Sequence, residues 1–169
     1  EGARKSKELE DELLKASENG KYPVLFDMSP CFYTFHEAAT NANLKIYDPI
    51  EFMLDFVMPK LEVKQPKDIV TIFPVCSVKK IGMELKLYEL ARMCSKEVAF
   101  VDSNCCGFAG DRGFTYPELN KHGLRHLSEQ VPDDCKDGYS TSRTCEIGLS
   151  EYGDINFKSI FYLIDEVTQ

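Results

Sequence analysis

The placement of cysteine relative to short apolar runs constrains this chain more than any other feature. At four places a strand-like run is followed within a few residues by cysteine. Tyr22–Phe26 runs into Asp27-Met28-Ser29-Pro30-Cys31. Asp68–Phe73, rich in β-branched residues, ends at Pro74-Val75-Cys76. Glu97–Val101 leads to Asn104-Cys105-Cys106-Gly107, and Tyr139–Thr141 leads through Ser142-Arg143-Thr144 to Cys145. In an open α/β sheet, ligands bind at the carboxyl ends of the strands. Four such loops bring Cys31, Cys76, Cys105, Cys106 and Cys145 toward one edge, with the last four as the tightest group.

Helical periodicity fills the gaps between these runs. Arg4–Asn19 reads as a helix with a narrow stripe of Leu9, Leu13 and Leu14, stopped by Gly20. Leu44–Tyr47 is a further strand, and Asp48-Pro49 caps a helix that turns Phe52, Phe56 and Val57 inward and stops near Pro59. Ser77–Cys94 reads as one long helix whose inner face carries Ile81, Leu85 and Tyr88, widened by Leu90 and Ala91. Pro117–Gln130 reads as another, with Leu119, Leu124 and Leu127 inward, and Ser159–Thr168 as the last, with Ile160, Leu163, Ile164 and Val167 on one side. Strands alternating with helices predict an α/β fold with a mostly parallel sheet and helices on both faces. The polar stretch Glu62–Lys67, with Pro66, marks an internal boundary, dividing residues 1–66 from 67–169.

Composition narrows the function classes. With 169 residues the chain is long enough for a hydrophobic core, and no apolar run approaches the roughly 20 residues of a membrane span. The net charge is −8, and the basic residues Lys79, Lys80 and Lys86 are diluted by Glu84 and Glu89, which argues against nucleic acid and anionic membranes as partners. Seven cysteines cannot all pair internally, and the charged Glu1–Glu10 stretch is no signal peptide. The expected setting is therefore reducing and cytoplasmic, at most peripheral at the inner face of a membrane. Opening on Glu1, the chain is expected to be a processed protein or a fragment of a longer one.

Thiols at this density in a reducing compartment point to metal binding or thiol chemistry. Iron–sulfur clusters are held by cysteine thiolates, and zinc accepts four of them. Adjacent cysteines such as Cys105 and Cys106 do not readily bond to each other, but each can bind an iron. Gly107, with Gly110 and Gly113, lets the backbone pack close to a bulky inorganic core. The plain alternative is a set of buried packing thiols. Cys94 at a helix end and Cys135 in Pro132-Asp133-Asp134-Cys135 read as such incidental thiols. His36, His122 and His126 read as surface residues, although His122 and His126 are four apart on one helix. Asp111-Arg112 reads either as an ion pair fixing the glycine-rich loop or as a face for a partner. Arg143 reads either as a hydrogen-bond donor toward a cluster or as half of a surface salt bridge.

At these residues the chain resembles a known family. Cys76, then Cys105-Cys106-Gly107, then Cys145 is similar to the cysteine-rich CCG domain found in heterodisulfide reductase and in the iron–sulfur component of glycolate oxidase. That domain occurs as tandem repeats, each with one cysteine, a CCG motif and a closing C-x-x-C. The stretches Glu1–Lys5, Cys105–Asp111, Phe114–Leu119 and Ser142–Gly148 resemble the C-terminal end of large fused proteins that join an FAD-binding dehydrogenase to an iron–sulfur part and oxidise D-2-hydroxy acids such as D-lactate or D-2-hydroxyglutarate. Two positions depart from the pattern: Gly148 stands where the second closing cysteine falls, and Met28 where the first repeat's leading cysteine falls.

The resemblance implies that residues 1–66 are the end of a truncated first CCG repeat and 67–169 a full second one. It implies a cluster, expected to be [4Fe-4S] with zinc as the alternative, on Cys76, Cys105, Cys106 and Cys145, with Gly107 against it and Cys31 as a further thiol. FAD belongs to the parent protein and not to this chain. The implied partners are the FAD-binding and N-terminal iron–sulfur parts of the parent, and an acceptor such as a quinone or another redox protein. The implied role is electron transfer from flavin to that acceptor, with no dehydrogenase activity in this chain alone; no G-x-G-x-x-G fingerprint follows a strand. The competing readings are a zinc-binding or metal-free docking module, and thiol–disulfide chemistry at Cys105 or Cys106, with Arg112 the closest basic residue in sequence.

Overall fold

A computed structural model describes all residues, 1–169. In chain order the elements are α1 (Gly2–Ala16), β1 (Val24–Leu25), α2 (Ser29–Ala38), β2 (Ile46–Tyr47), α3 (Pro49–Phe52), β3 (Lys67–Ile72), α4 (Cys76–Lys80), α5 (Glu84–Cys94), β4 (Ser95–Phe100), α6 (Arg112–Thr115), α7 (Pro117–Gly123), β5 (Asp137–Ser140), α8 (Arg143–Tyr152), β6 (Asn156–Ser159) and α9 (Ile160–Thr168). A π turn over Met53–Val57 and a 3-10 turn over Met58–Lys60 extend α3. The strands form two parallel sheets: β1 beside β2, and a four-stranded sheet in the order β4–β3–β5–β6.

The α/β expectation is met. In β3, Val70, Thr71 and Ile72 are buried in succession, which requires cover on both faces of the sheet, as parallel sheets need. Leu87, Leu90 and Ala91 of α5, Leu149 of α8, and Ile160, Leu163, Ile164 and Val167 of α9 supply that cover. No helix is long and apolar enough to cross a membrane.

The strand order positions the site. From β3 the chain crosses through α4 and α5 to β4 on one side; from β5 it crosses through α8 to β6 on the other. β3 and β5 are neighbours, paired at Thr71–Gly138 and Ile72–Tyr139. The crossovers leave the carboxyl ends of these two strands in opposite directions, which opens the crevice where α/β sheets hold ligands. Cys76 follows β3 and Cys145 follows β5, so both flank it.

Several expected elements are corrected. The long helix over Ser77–Cys94 is two helices, α4 and α5, broken at Gly82, which sits at φ +68°. The break resets the helical phase. Leu85 and Tyr88, expected inward, are exposed, and Leu87, Leu90, Ala91 and Cys94 form the buried face. The helix expected over Pro117–Gln130 stops at Gly123; Ser128–Gln130 is a separate 3-10 turn, Leu119 is exposed, and only Leu124 and Leu127 reach the core. Four elements have no range in the sequence reading: α2, α6, α8 and β6.

The first helix docks differently from its apolar pattern. Leu9 is exposed, and the one buried residue of α1 is Glu10. Its carboxylate accepts the N–H groups of Asn41 (2.5 Å) and Thr40 (2.6 Å) and pairs with Lys7 (3.0 Å). The Asn41 hydrogen bond is the main cause of a pKa lowered to about 2, with Lys7 and Thr40 adding to it. A buried carboxylate with these donors ties α1 to the turn after α2.

Candidate thiol site

Four cysteines meet at the carboxyl edge of the larger sheet. Cys76 opens α4, Cys105 and Cys106 lie in the loop after β4, and Cys145 sits in the first turn of α8. Cys106 donates to Cys145, with Sγ atoms 2.8 Å apart. Cys105 lies within thiol hydrogen-bonding reach of both Cys106 and Cys76. The order in space is Cys76, Cys105, Cys106, Cys145: a row of thiols from three separate strand ends. Cys106 and Cys145 are buried, Cys76 is partly buried, and Cys105 is exposed.

Electrostatics alternates along the row. Hydrogen bonding from Cys106 and then Cys76 holds the Cys105 thiol far below its ordinary range, with the Gly107 N–H (3.3 Å) and the Lys80 charge acting the same way. Cys145 is also lowered, chiefly by the hydrogen bond from Cys106. Cys76 and Cys106, the donors, are raised, first by those hydrogen bonds and then by burial. Hydrogen bonding therefore favours the thiolate form at Cys105 and Cys145 over Cys76 and Cys106.

The loop that carries Cys105 and Cys106 is built for close approach. Gly107 has φ +75°, and a Cβ there would lie 2.2 Å from the Leu119 carbonyl oxygen. Gly123 of α7 packs on the other side, where a Cβ would meet the Cys105 carbonyl oxygen at 3.0 Å. Lys79 anchors the start of the loop by donating to the Ser103 carbonyl at 2.7 Å. Beside Cys105 a cavity of about 340 Å³ opens between Asp102–Cys105 and Gly123–Leu127, giving solvent a path to the row.

The structure leaves Cys31 outside this group: it is exposed on the first turn of α2, and the contacts of the row are among Cys76, Cys105, Cys106 and Cys145. Cys94 and Cys135 are buried elsewhere; burial raises Cys94 to about 11, and Cys135 accepts from the Thr71 hydroxyl at 3.2 Å. His126 pairs with Glu129 at 3.2 Å on the surface. Arg143 pairs with Glu146 at 3.3 Å and not with the thiols. Two residues near the row escaped the sequence reading. Lys80 lies one helical turn after Cys76, and its charge acts on both Cys76 and Cys105. Asn120 is buried on α7 and donates its amide to the Cys106 carbonyl. The i, i+4 spacing of Cys76 and Lys80 was a readable signal; the Asn120 contact depends on tertiary packing alone.

Cys76, Cys105, Cys106 and Cys145 are side chains of the type that bind soft metals as thiolates. No three His, Cys, Asp or Glu side chains stand around a common point as ligands of a single ion. Thiolates on a tetrahedral zinc stand about 3.8 Å apart, from a Zn–S bond of roughly 2.3 Å. The Cys106–Cys145 pair is closer than that, so its present spacing does not match a tetrahedral zinc. Compared with protein-family models, with curated proteins and with solved structures, the chain finds no match.

Proposed function

We propose that this chain is the iron–sulfur electron-transfer domain of an FAD-dependent D-2-hydroxy acid dehydrogenase, passing electrons from flavin to an acceptor. The observation that carries the reading is the convergence of Cys76, Cys105, Cys106 and Cys145 from three strand ends onto the crevice between β3 and β5. The resemblance of Cys105–Asp111 and Ser142–Gly148 to the fused dehydrogenases supplies the parent enzyme and its substrate class. A cluster bound here supplies one-electron storage.

The protein's own residues do the rest. Cys106 and Cys145 sit in the dry interior, while Cys105 faces the cavity, so the row spans from core to surface. In this reading Cys105 is the thiol nearest an acceptor, a quinone or a redox protein, while burial shields Cys106 and Cys145 from water. Lys80 offsets the negative charge of the thiolates. Gly107 and Gly123 keep side chains away from the loop backbone.

A second reading, a zinc-binding structural or docking module, draws on Gly148. With no thiol at 148 the row has four sulfurs, the number a structural zinc takes. Iron, sulfide and zinc content of protein prepared without oxygen decides between them. Iron with sulfide and a reducible EPR signal supports electron transfer; stoichiometric zinc supports the structural module.

A further inference from the structure

Asn120 lies between the two segments that carry the buried pair of thiols. It is 2 % exposed, and its Nδ2 donates to the Cys106 carbonyl. On its other side is Gly148, one turn after Cys145 on α8. A Cβ built on Gly148 would lie 2.4 Å from Asn120 Nδ2 and 2.5 Å from its Oδ1. Real Cβ atoms do not approach that closely, so any side chain at 148 must expel the amide.

We infer that Asn120 is the positioning residue of the thiol site: its amide holds the Cys106 backbone and fills the space beside Gly148, setting Cys106 in register with Cys145 and leaving no room for a fifth thiol. The inference rests on reading the four thiols as one binding site. The adjoining geometry agrees with it. α7 is wedged against the loop at two more points: Gly107 beneath the Leu119 carbonyl, and Gly123 on the Cys105–Gly107 backbone. A residue on α7 that also packs against α8 therefore fixes the distance between the two thiol-bearing segments. Asn suits the place because it is short enough for the gap and carries the donor that the buried Cys106 carbonyl needs.

The test separates this inference from the cluster reading by using a metal-free readout. In a Cys105→Ser background, the chelated full chain is treated with diamide, which takes two electrons and two protons from two thiols to give a disulfide and a hydrazine. Peptide mapping follows joining of Cys106 to Cys145. Asn120→Ala is expected to slow that joining about tenfold, the scale of loss when a reacting pair is misplaced by a fraction of an ångström. Gly148→Ala, which expels the amide, should do the same. Asn120→Ala combined with Gly148→Ala refills the space with a methyl group and preserves the fold, checked by thermal unfolding. It should still join slowly, because the amide to Cys106 is gone. Joining at the parent rate in Asn120→Ala overturns the inference, as does full recovery in the folded double variant. Iron and sulfide content of the unmodified chain tests the cluster reading separately, and its failure leaves the disulfide result standing.

Discussion

The Ser29 hydroxyl donates to Thr141 Oγ1 at 2.8 Å, and the Ser29 N–H to the Thr141 carbonyl at 3.1 Å. Both residues are buried. Ser29 starts the helix that carries Cys31, and Thr141 ends the strand segment that leads to Cys145. The small β1–β2 sheet is thereby joined to the larger one at the edge where the thiols gather. Ser29→Ala removes a buried donor and leaves the Thr141 hydroxyl without that partner, an expected cost of about 1–3 kcal/mol in urea unfolding. Ser29→Ala with Thr141→Val removes both partners, and is expected to cost less than Ser29→Ala alone.

Backbone conformation and steric exclusion are separable at two glycines. Gly82 and Gly107 both have positive φ, +68° and +75°. Nothing lies within 4 Å of a Cβ on Gly82, whereas a Cβ on Gly107 meets the Leu119 carbonyl oxygen at 2.2 Å. Gly82→Ala should cost about 1–2 kcal/mol, the strain of a left-handed residue alone. Gly107→Ala adds overpacking of about 1–3 kcal/mol to that strain. Denaturant midpoints check the order, and equal losses contradict it.

Acid sensitivity is expected from the amino end of the larger sheet. Glu166 of α9 accepts from Lys67 (2.7 Å), Lys158 (2.9 Å) and the Tyr139 hydroxyl (2.8 Å), and Asp137 pairs with the same two lysines. Burial opposes the charged form of Glu166, but those hydrogen bonds outweigh it and lower its pKa from 4.5 to about 2. A folded pKa below the unfolded one stabilises the protein above the unfolded value. That contribution is complete above about pH 4.5 and is lost as pH falls toward 2. Glu166→Gln should flatten this part of the stability–pH curve and lower stability at pH 7 by about 1–3 kcal/mol, since it leaves two lysines short of a partner. Thermal unfolding between pH 2 and 7 checks both; an unchanged acid limb contradicts the assignment.

What the sequence disclosed follows from which interactions are local. The alternation of β-branched runs and helical stripes is set by nearest neighbours, so the α/β class and the strand before Cys76 were readable. Ile160, Leu163, Ile164 and Val167 form a continuous stripe and are all buried, as their spacing predicts. The stripe over Ile81, Leu85 and Tyr88 misled because one residue, Gly82, turns left-handed and rotates everything after it. α8 was hidden by Gly148, whose low helix propensity is offset by packing against Asn120. β6 holds a single large apolar residue, Phe157, and its strand state comes from pairing with β5. For the site, strand-end position brought Cys76, Cys105, Cys106 and Cys145 together. Cys31, which follows β1 of the other sheet, is exposed on the first turn of α2 and takes no part in the thiol–thiol contacts of the row.

The central claim is that the row of four thiols holds an iron–sulfur cluster, and metal analysis tests it most directly. The chain and its Cys106→Ser variant are purified without oxygen, assayed for iron, acid-labile sulfide and zinc, and examined by EPR after reduction. The account predicts about four iron and four sulfide per chain, with a reducible signal, in the unmodified protein. It predicts loss of both in Cys106→Ser with the fold retained. Stoichiometric zinc without sulfide, or cluster content unchanged by Cys106→Ser, contradicts it.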